Sequence, residues 1–111
     1  MIRLTVQSGG HRSGSPVAEL LGTEFLAVSM AATEIGGRLP VPAARSSVDF
    51  SAAACAALLT HIEAAGEATL HAALDRRIPG ETGANHRARL APVLDALQRG
   101  AAADGLIIDA D

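Results

Sequence analysis

Tryptophan, tyrosine and lysine are missing from the 111 residues, and cysteine occurs once. Two phenylalanines are the whole aromatic complement. The chain therefore has no platform for stacking bases and little with which to line an aromatic ligand pocket. The single cysteine, Cys55, excludes an intramolecular disulfide framework and a Cys-based zinc cluster. Within the run Ser51-Ala-Ala-Ala-Cys55-Ala-Ala it reads as a small buried hydrophobe on a helix face. A reactive thiol would want a nearby cation, and the nearest one in sequence is Arg45. Excess positive charge is lacking too: the net charge is −3, which argues against a nucleic-acid binder. No run of eighteen apolar residues exists, so no membrane span is expected. Residues 1–6 run straight into Gln7-Ser8-Gly9-Gly10 without the apolar stretch of a signal peptide. The expected location is cytoplasmic, or exported without a cleavable signal peptide.

What is abundant is alanine, 24 residues of the 111. Small side chains favour helix and permit close helix packing, but they make a thin core. The reading is one small all-α domain over 1–111: a helical hairpin, a third shorter helix and short terminal strands at most. Ser15-Pro16 marks the first helix, with Ser as cap and Pro at the first helical position. Leu21, Phe25, Val28, Ala32, Ile35 and Leu39 then recur at spacings of three and four, a heptad seam. Leu20, Leu26 and Met30 lie off the seam and widen the expected buried face. Gly36-Gly37, with Pro40 and Pro42 beyond, end the helix, which spans about 16–37. Ser46 to Asp49 fits a loose capping box for a long second helix running to about residue 77. On it Leu59, Ile62 and Gly66 mark one line. A glycine in mid-helix costs about 1 kcal/mol, so Gly66 implies a close helix crossing. Pro79-Gly80 break the chain and Glu81 to Asn85 form a turn. A third helix starts near Asn85, carries Leu90, Val93, Leu94 and Leu97 as its stripe, contains Pro92 and is capped by Gly100. Residues 2–6 alternate as a short strand, and Leu106-Ile107-Ile108 is its natural partner. Asp109 to Asp111 are expected to be mobile.

Three groups of residues invite chemistry. Glu63, Glu67, His71 and Asp75 step by four along the second helix and form a titratable stripe. Carboxylate and imidazole at that spacing can share a metal, but the di-iron pattern needs a spacing of three and a second helix with matching ligands. The stripe therefore reads as a solvated face. The loop Gly9-Gly10-His11-Arg12-Ser13-Gly14-Ser15 precedes a helix start, where an anion can bind, yet it matches no phosphate-loop pattern and reads as a flexible connector. Arg76, Arg77, His86, Arg87 and Arg89 gather positive charge around the 78–85 turn. They complement a helix C-terminus or offer a docking patch, with Asp104, Asp109 and Asp111 as possible internal partners. No serine stands in a nucleophile elbow, so the enzymatic reading has no anchor residue.

The sequence Ser47-Val-Asp-Phe50-Ser-Ala-Ala leading into one helix, and His71-Ala-Ala-Leu-Asp75 near its end, carry a resemblance. The segment from Val17 to Arg77 resembles the small, alanine-rich helical-hairpin proteins of bacterial type VII secretion. That resemblance implies two antiparallel amphipathic helices working as a homodimer or heterodimer. The chain departs from the family at three places. The Trp-x-Gly turn is missing from 38–48, His71 stands where the family has Tyr, and Pro79-Gly80 and another helix replace a short tail.

The expected function is a non-enzymatic interaction module that forms a homodimer or pairs with a related helical chain. The interface candidates are Leu21, Phe25, Val28, Ile35, Leu59, Ile62 and Gly66. No catalytic, cofactor or metal residues are assigned, and no nucleic acid or small-molecule substrate is evident. The alternative is a small metal-binding protein or enzyme using Glu63, Glu67 and His71.

Overall fold

Ile2, Leu4 and Val6 alternate with polar neighbours and so face one side of a strand, β1 (Ile2–Ser8). In the computed structural model, which describes residues 1–80 and 82–111, β1 pairs antiparallel with a strand near the other end of the sequence, β5 (Leu106–Ala110). Leu4 stands opposite Ile108 and Val6 opposite Leu106. The pairing of 2–6 with 106–108 read from the sequence is thus present and continues to Ala110. Asp109 and Asp111, expected to be mobile, are instead tied to Arg12 and Arg3.

The rest of the sheet corrects the all-α reading. The supposed flexible connector after β1 is a turn in which Gly9 and Gly10 both have positive φ, the requirement of a two-residue hairpin. It returns the chain as β2 (His11–Arg12) and then β3 (Ala18–Leu20), both antiparallel to β1 along one edge. Residues 18–20 alternate buried, exposed, buried, so the start of the helix expected over 16–37 is strand and Ser15-Pro16 caps no helix. β4 (Ser47–Phe50) pairs with the far side of β5. The order is β2-β1-β5-β4, with β3 also on β1, and β4 forms an open edge. The molecule is mixed α/β, not a helical hairpin or bundle.

The first helix is accordingly short, α1 (Gly22–Glu34). Leu21 caps it, and its N–H is held by the Glu24 carboxylate at 2.9 Å. Gly36, at φ 86°, ends the helical path as expected. The expected long helix of 46–77 is three elements. Asp49 lies in β4, and Ser51, not Ser46, is the cap, accepting a hydrogen bond from Ala54 N at 3.1 Å. α2 (Ala52–Ala65) then stops at Gly66, whose φ of 87° and ψ of 147° only glycine adopts readily. α3 (Glu67–Arg77) follows. Gly66 is therefore a corner between two helices: a side chain there would meet nothing within 4 Å, so no helix crosses it. The hairpin implied by the resemblance to the secretion proteins is absent for the same reasons.

The turn expected over Glu81 to Asn85 gives way to a helix from Gly83, while Glu81 lies outside the described residues. That helix, α4 (Gly83–Ala102), has 20 residues and is the longest, not a shorter third helix. Thr82 caps it, accepting from Asn85 N at 3.2 Å. Gly100, expected as its cap, lies inside it, where α4 meets α2. A Cβ there would fall 2.8 Å from Leu106 Cγ and 2.9 Å from Cys55 Sγ. The close approach sought at Gly66 is at Gly100.

One face of the sheet packs on α4, α2 packs on α4, and α1 on α3. Phe25, Leu4, Leu39, Leu70, Leu74, Leu97, Leu106 and Ile108 are fully buried at their junction. Ile107 is buried outside this core, on the opposite face of the sheet. That face carries the Arg12 guanidinium hydrogen-bonded to Asp109, which also accepts from Ser47 Oγ at 2.7 Å.

Candidate functional site

The exposed residues of α1 are Gly22, Thr23, Leu26, Met30, Thr33 and Glu34, at helical spacings of three and four. Glu34 is the one charged residue among them. Both carboxylates of the helix are engaged by its neighbours. Glu24 meets Arg89 of α4 at 2.7 Å, and Glu34 meets Arg76 and Arg77 of α3 at 2.7 and 2.8 Å. Glu24 is held below its ordinary pKa, first by the Leu21 N–H and then by Arg89. Glu34 is lowered mainly by the hydrogen bond from Arg76. The usual surface helix has polar residues outward and apolar residues inward. Here part of that pattern is inverted, and Leu26 and Met30 remain 48% and 44% exposed.

Three further exposed hydrophobes lie at the start of α1 or on segments joined to its flanks. Leu21 is 55% exposed at the start of α1. Met1 lies beside it, because Ile2 pairs with Leu20 across β1 and β3. Val41, also exposed, belongs to the connector between α1 and β4. Ser29 Oγ donates to Leu39 O at 2.5 Å and ties that connector to the flank of α1. At its far end Arg45 N donates to Asp111 O at 3.0 Å, next to the start of β1. All five exposed large hydrophobes of the described residues therefore belong to α1 or to segments bordering it.

The interface candidates from the sequence fall differently. Phe25, Val28 and Ile62 are buried in the chain's own core, and Ile35 and Leu59 pack partly against it. Gly66 is the corner described above, and Leu21 alone is exposed. Leu26 and Met30, read as widening the buried face, are the outward pair. Their signal was in the sequence: they sit four apart and off the seam, in line with Glu34 one turn further on.

The titratable stripe is divided by the Gly66 corner, with Glu63 on α2 and Glu67, His71 and Asp75 on α3. Among the described residues no group of three or more His, Cys, Asp or Glu is placed to hold a metal. Asp75 turns to His86 instead. Of the basic cluster, Arg76 and Arg77 pair with Glu34, Arg89 with Glu24 and His86 with Asp75, not with the acidic residues near the end of the sequence. Cys55 is fully buried, and burial pushes its thiol up to about 11. Among the described residues, no helix is long and apolar enough to cross a membrane.

Comparison of the chain with protein-family models, with curated proteins and with solved structures finds no match.

Proposed function

We propose that the protein is a non-enzymatic interaction module that pairs with a second copy of itself through the outward face of α1. The observation that carries this reading is the pair of exposed side chains Leu26 and Met30, one turn apart on α1, with Leu21 exposed at the start of the same helix. Burying a leucine or methionine side chain is worth about 1.5–3 kcal/mol, and each here has roughly half of that still to gain. A two-fold contact lays the same pair of each copy on the other. Leu26 and Met30 carry no charge, and Glu34, one turn beyond Met30, is already paired with Arg76 and Arg77, so a contact centred on the two apolar side chains desolvates no unpaired ion. Gly22, Thr23 and Thr33 are small enough to let two helices approach at about 8–10 Å.

The test is the mass of the protein by light scattering and sedimentation velocity across a concentration series. The expected result is a dimer that Leu26→Glu and Met30→Glu each convert to a monomer with unchanged circular dichroism and a melting temperature that no longer rises with concentration. A wild-type monomer at the highest concentration, or a dimer indifferent to both substitutions, overturns the proposal.

A further inference from the structure

On another side of the molecule a groove of about 740 Å³ runs along α2, bounded by the segment Gly36–Pro40 and by the open edge of β4. Ser51, Ala54, Leu58 and His61 follow one another along it. Ten residues of helix make it about 15 Å long. Its two ends differ in charge. At one end the imidazole of His61 lies by Gly36, where a Cβ would be 3.5 Å from Nδ1, and Arg38 follows two residues on. At the other, Gln7 Nε2 donates to Asp49 Oδ1 at 3.2 Å, and Asp104 N donates to Gln7 O at 3.1 Å. The Asp49 carboxylate thus accepts from the Gln7 side chain, and the Asp104 carboxylate accepts from Gly9 N at 2.7 Å in the adjoining turn. Among the described residues, Arg38, Asp49 and Asp104 belong to no salt bridge. Between the ends, Phe50 and Leu58 are apolar and largely buried, while Ala54 and Ala57 leave room above them.

This arrangement selects a shape as well as a charge. A simple anion suits one end and is repelled by the other. A free amino acid carries both charges on one carbon and cannot reach both ends. The ends are separated by more than a Debye length at physiological salt, about 8 Å, and so act as two sites. An extended peptide of about five residues covers 15 Å at 3.3 Å per residue. Its backbone can pair with the free edge of β4, the mode by which many sheets accept a strand.

We propose that the groove binds an extended segment of a partner protein. The segment presents a carboxylate to Arg38 and His61, a cation to Asp49 and Asp104, and small apolar side chains between. The partner is distinct from the second copy proposed at α1, and the two surfaces are tested independently.

The experiment is an amide chemical-shift titration of the full chain with three capped peptides. They are acetyl-Lys-Val-Thr-Val-Glu-amide, its reverse acetyl-Glu-Val-Thr-Val-Lys-amide, and the uncharged acetyl-Gln-Val-Thr-Val-Gln-amide. One charged peptide should shift groove amides and bind about tenfold or more tighter than the uncharged one. Arg38→Glu should lose that preference and regain it for a peptide whose Glu is exchanged for Lys. The proposal is overturned if neither charged peptide binds at millimolar concentration, if the uncharged peptide binds equally, or if the shifts fall outside the groove. The peptide comparison on the unaltered chain keeps the test decisive should Arg38→Glu fail to fold.

Discussion

Nε2 of His86, on a side chain wholly removed from solvent, stands 2.6 Å from Oδ1 of Asp75, whose own side chain is 59% exposed. The ring N–H is turned off the direct line to the oxygen, so the contact is a close polar approach rather than an aligned hydrogen bond. It nevertheless gives a buried polar atom an acidic neighbour and joins α3 to α4. Asp75→Ala should therefore cost about 1–3 kcal/mol, the penalty of a buried polar group left alone. Urea unfolding measures it, and a loss within error of zero means that water already serves the ring.

Two glycine substitutions should both destabilise, for different reasons. At Gly100 an added methyl meets Leu106 and Cys55 below 3 Å. Overpacking of this kind costs about 1–3 kcal/mol, against about 1 kcal/mol regained in helix propensity. The distinguishing measurement is the double variant: Cys55→Ala should recover part of the Gly100→Ala loss, since it removes one of the two contacted atoms. At Gly66 there is open space, and the cost of Gly66→Ala is backbone strain of about 1–3 kcal/mol. No change at a neighbouring side chain should rescue it.

Acid should weaken the fold over a definable range. Glu24, Glu34, Asp109 and Asp111 all have lowered pKa values, Asp109 chiefly through the hydrogen bond from Arg12 and Asp111 through that from Arg3. A group with a depressed folded pKa stabilises above its unfolded value and ceases to do so as pH falls through the folded one. Melting temperature should thus be level near neutrality and decline once the pH passes below the ordinary values of 4.5 for Glu and 3.8 for Asp. Added salt should reduce the decline, because these pairs are partly exposed. A profile flat down to pH 3 contradicts the assignment.

Cys55 should resist labelling. Its thiol is buried and its pKa raised to about 11, so at neutral pH it is neither accessible nor ionised. A thiol reagent should react in the folded protein only at the rate of opening and promptly in denaturant. Fast reaction of the native chain would place Cys55 outside the core.

The sequence signalled the parts of the fold whose local pattern was longer than a turn or two. Phe25 and Val28 were recognisable as core by their spacing, and residues 2–6 and 106–108 by alternation. Ser47–Phe50 was not, because four residues offer one alternation, and a serine before an alanine run looks the same as a helix cap. Residues 18–20 continue the helical spacing of Leu21 and Phe25, and only pairing with β1 makes them strand. Gly66 fits a close helix crossing and a corner equally well until φ is known. The α1 surface was half legible, since Leu26 and Met30 were noticed but assigned inward. The groove was not legible: Gln7, Arg38, Asp49, His61 and Asp104 come from five segments, and no motif links them.

The position of β5 has a consequence for the order in which the molecule assembles. Arg3 and Asp111 are 108 positions apart in the chain yet in direct contact. β5 separates β1 from β4, so these two strands share no partner until it arrives. During synthesis the helices and the β1–β3 hairpin can form from nearby residues, while the sheet stays in two pieces with an unfilled slot. Closing it requires loops of nearly the whole chain, the class of event that slows folding. Until then both flanks of the slot offer free backbone groups to any other strand. The nascent chain is consequently most vulnerable to mispairing before Leu106–Ala110 is made, and a second molecule's β5 is the segment best shaped to intrude.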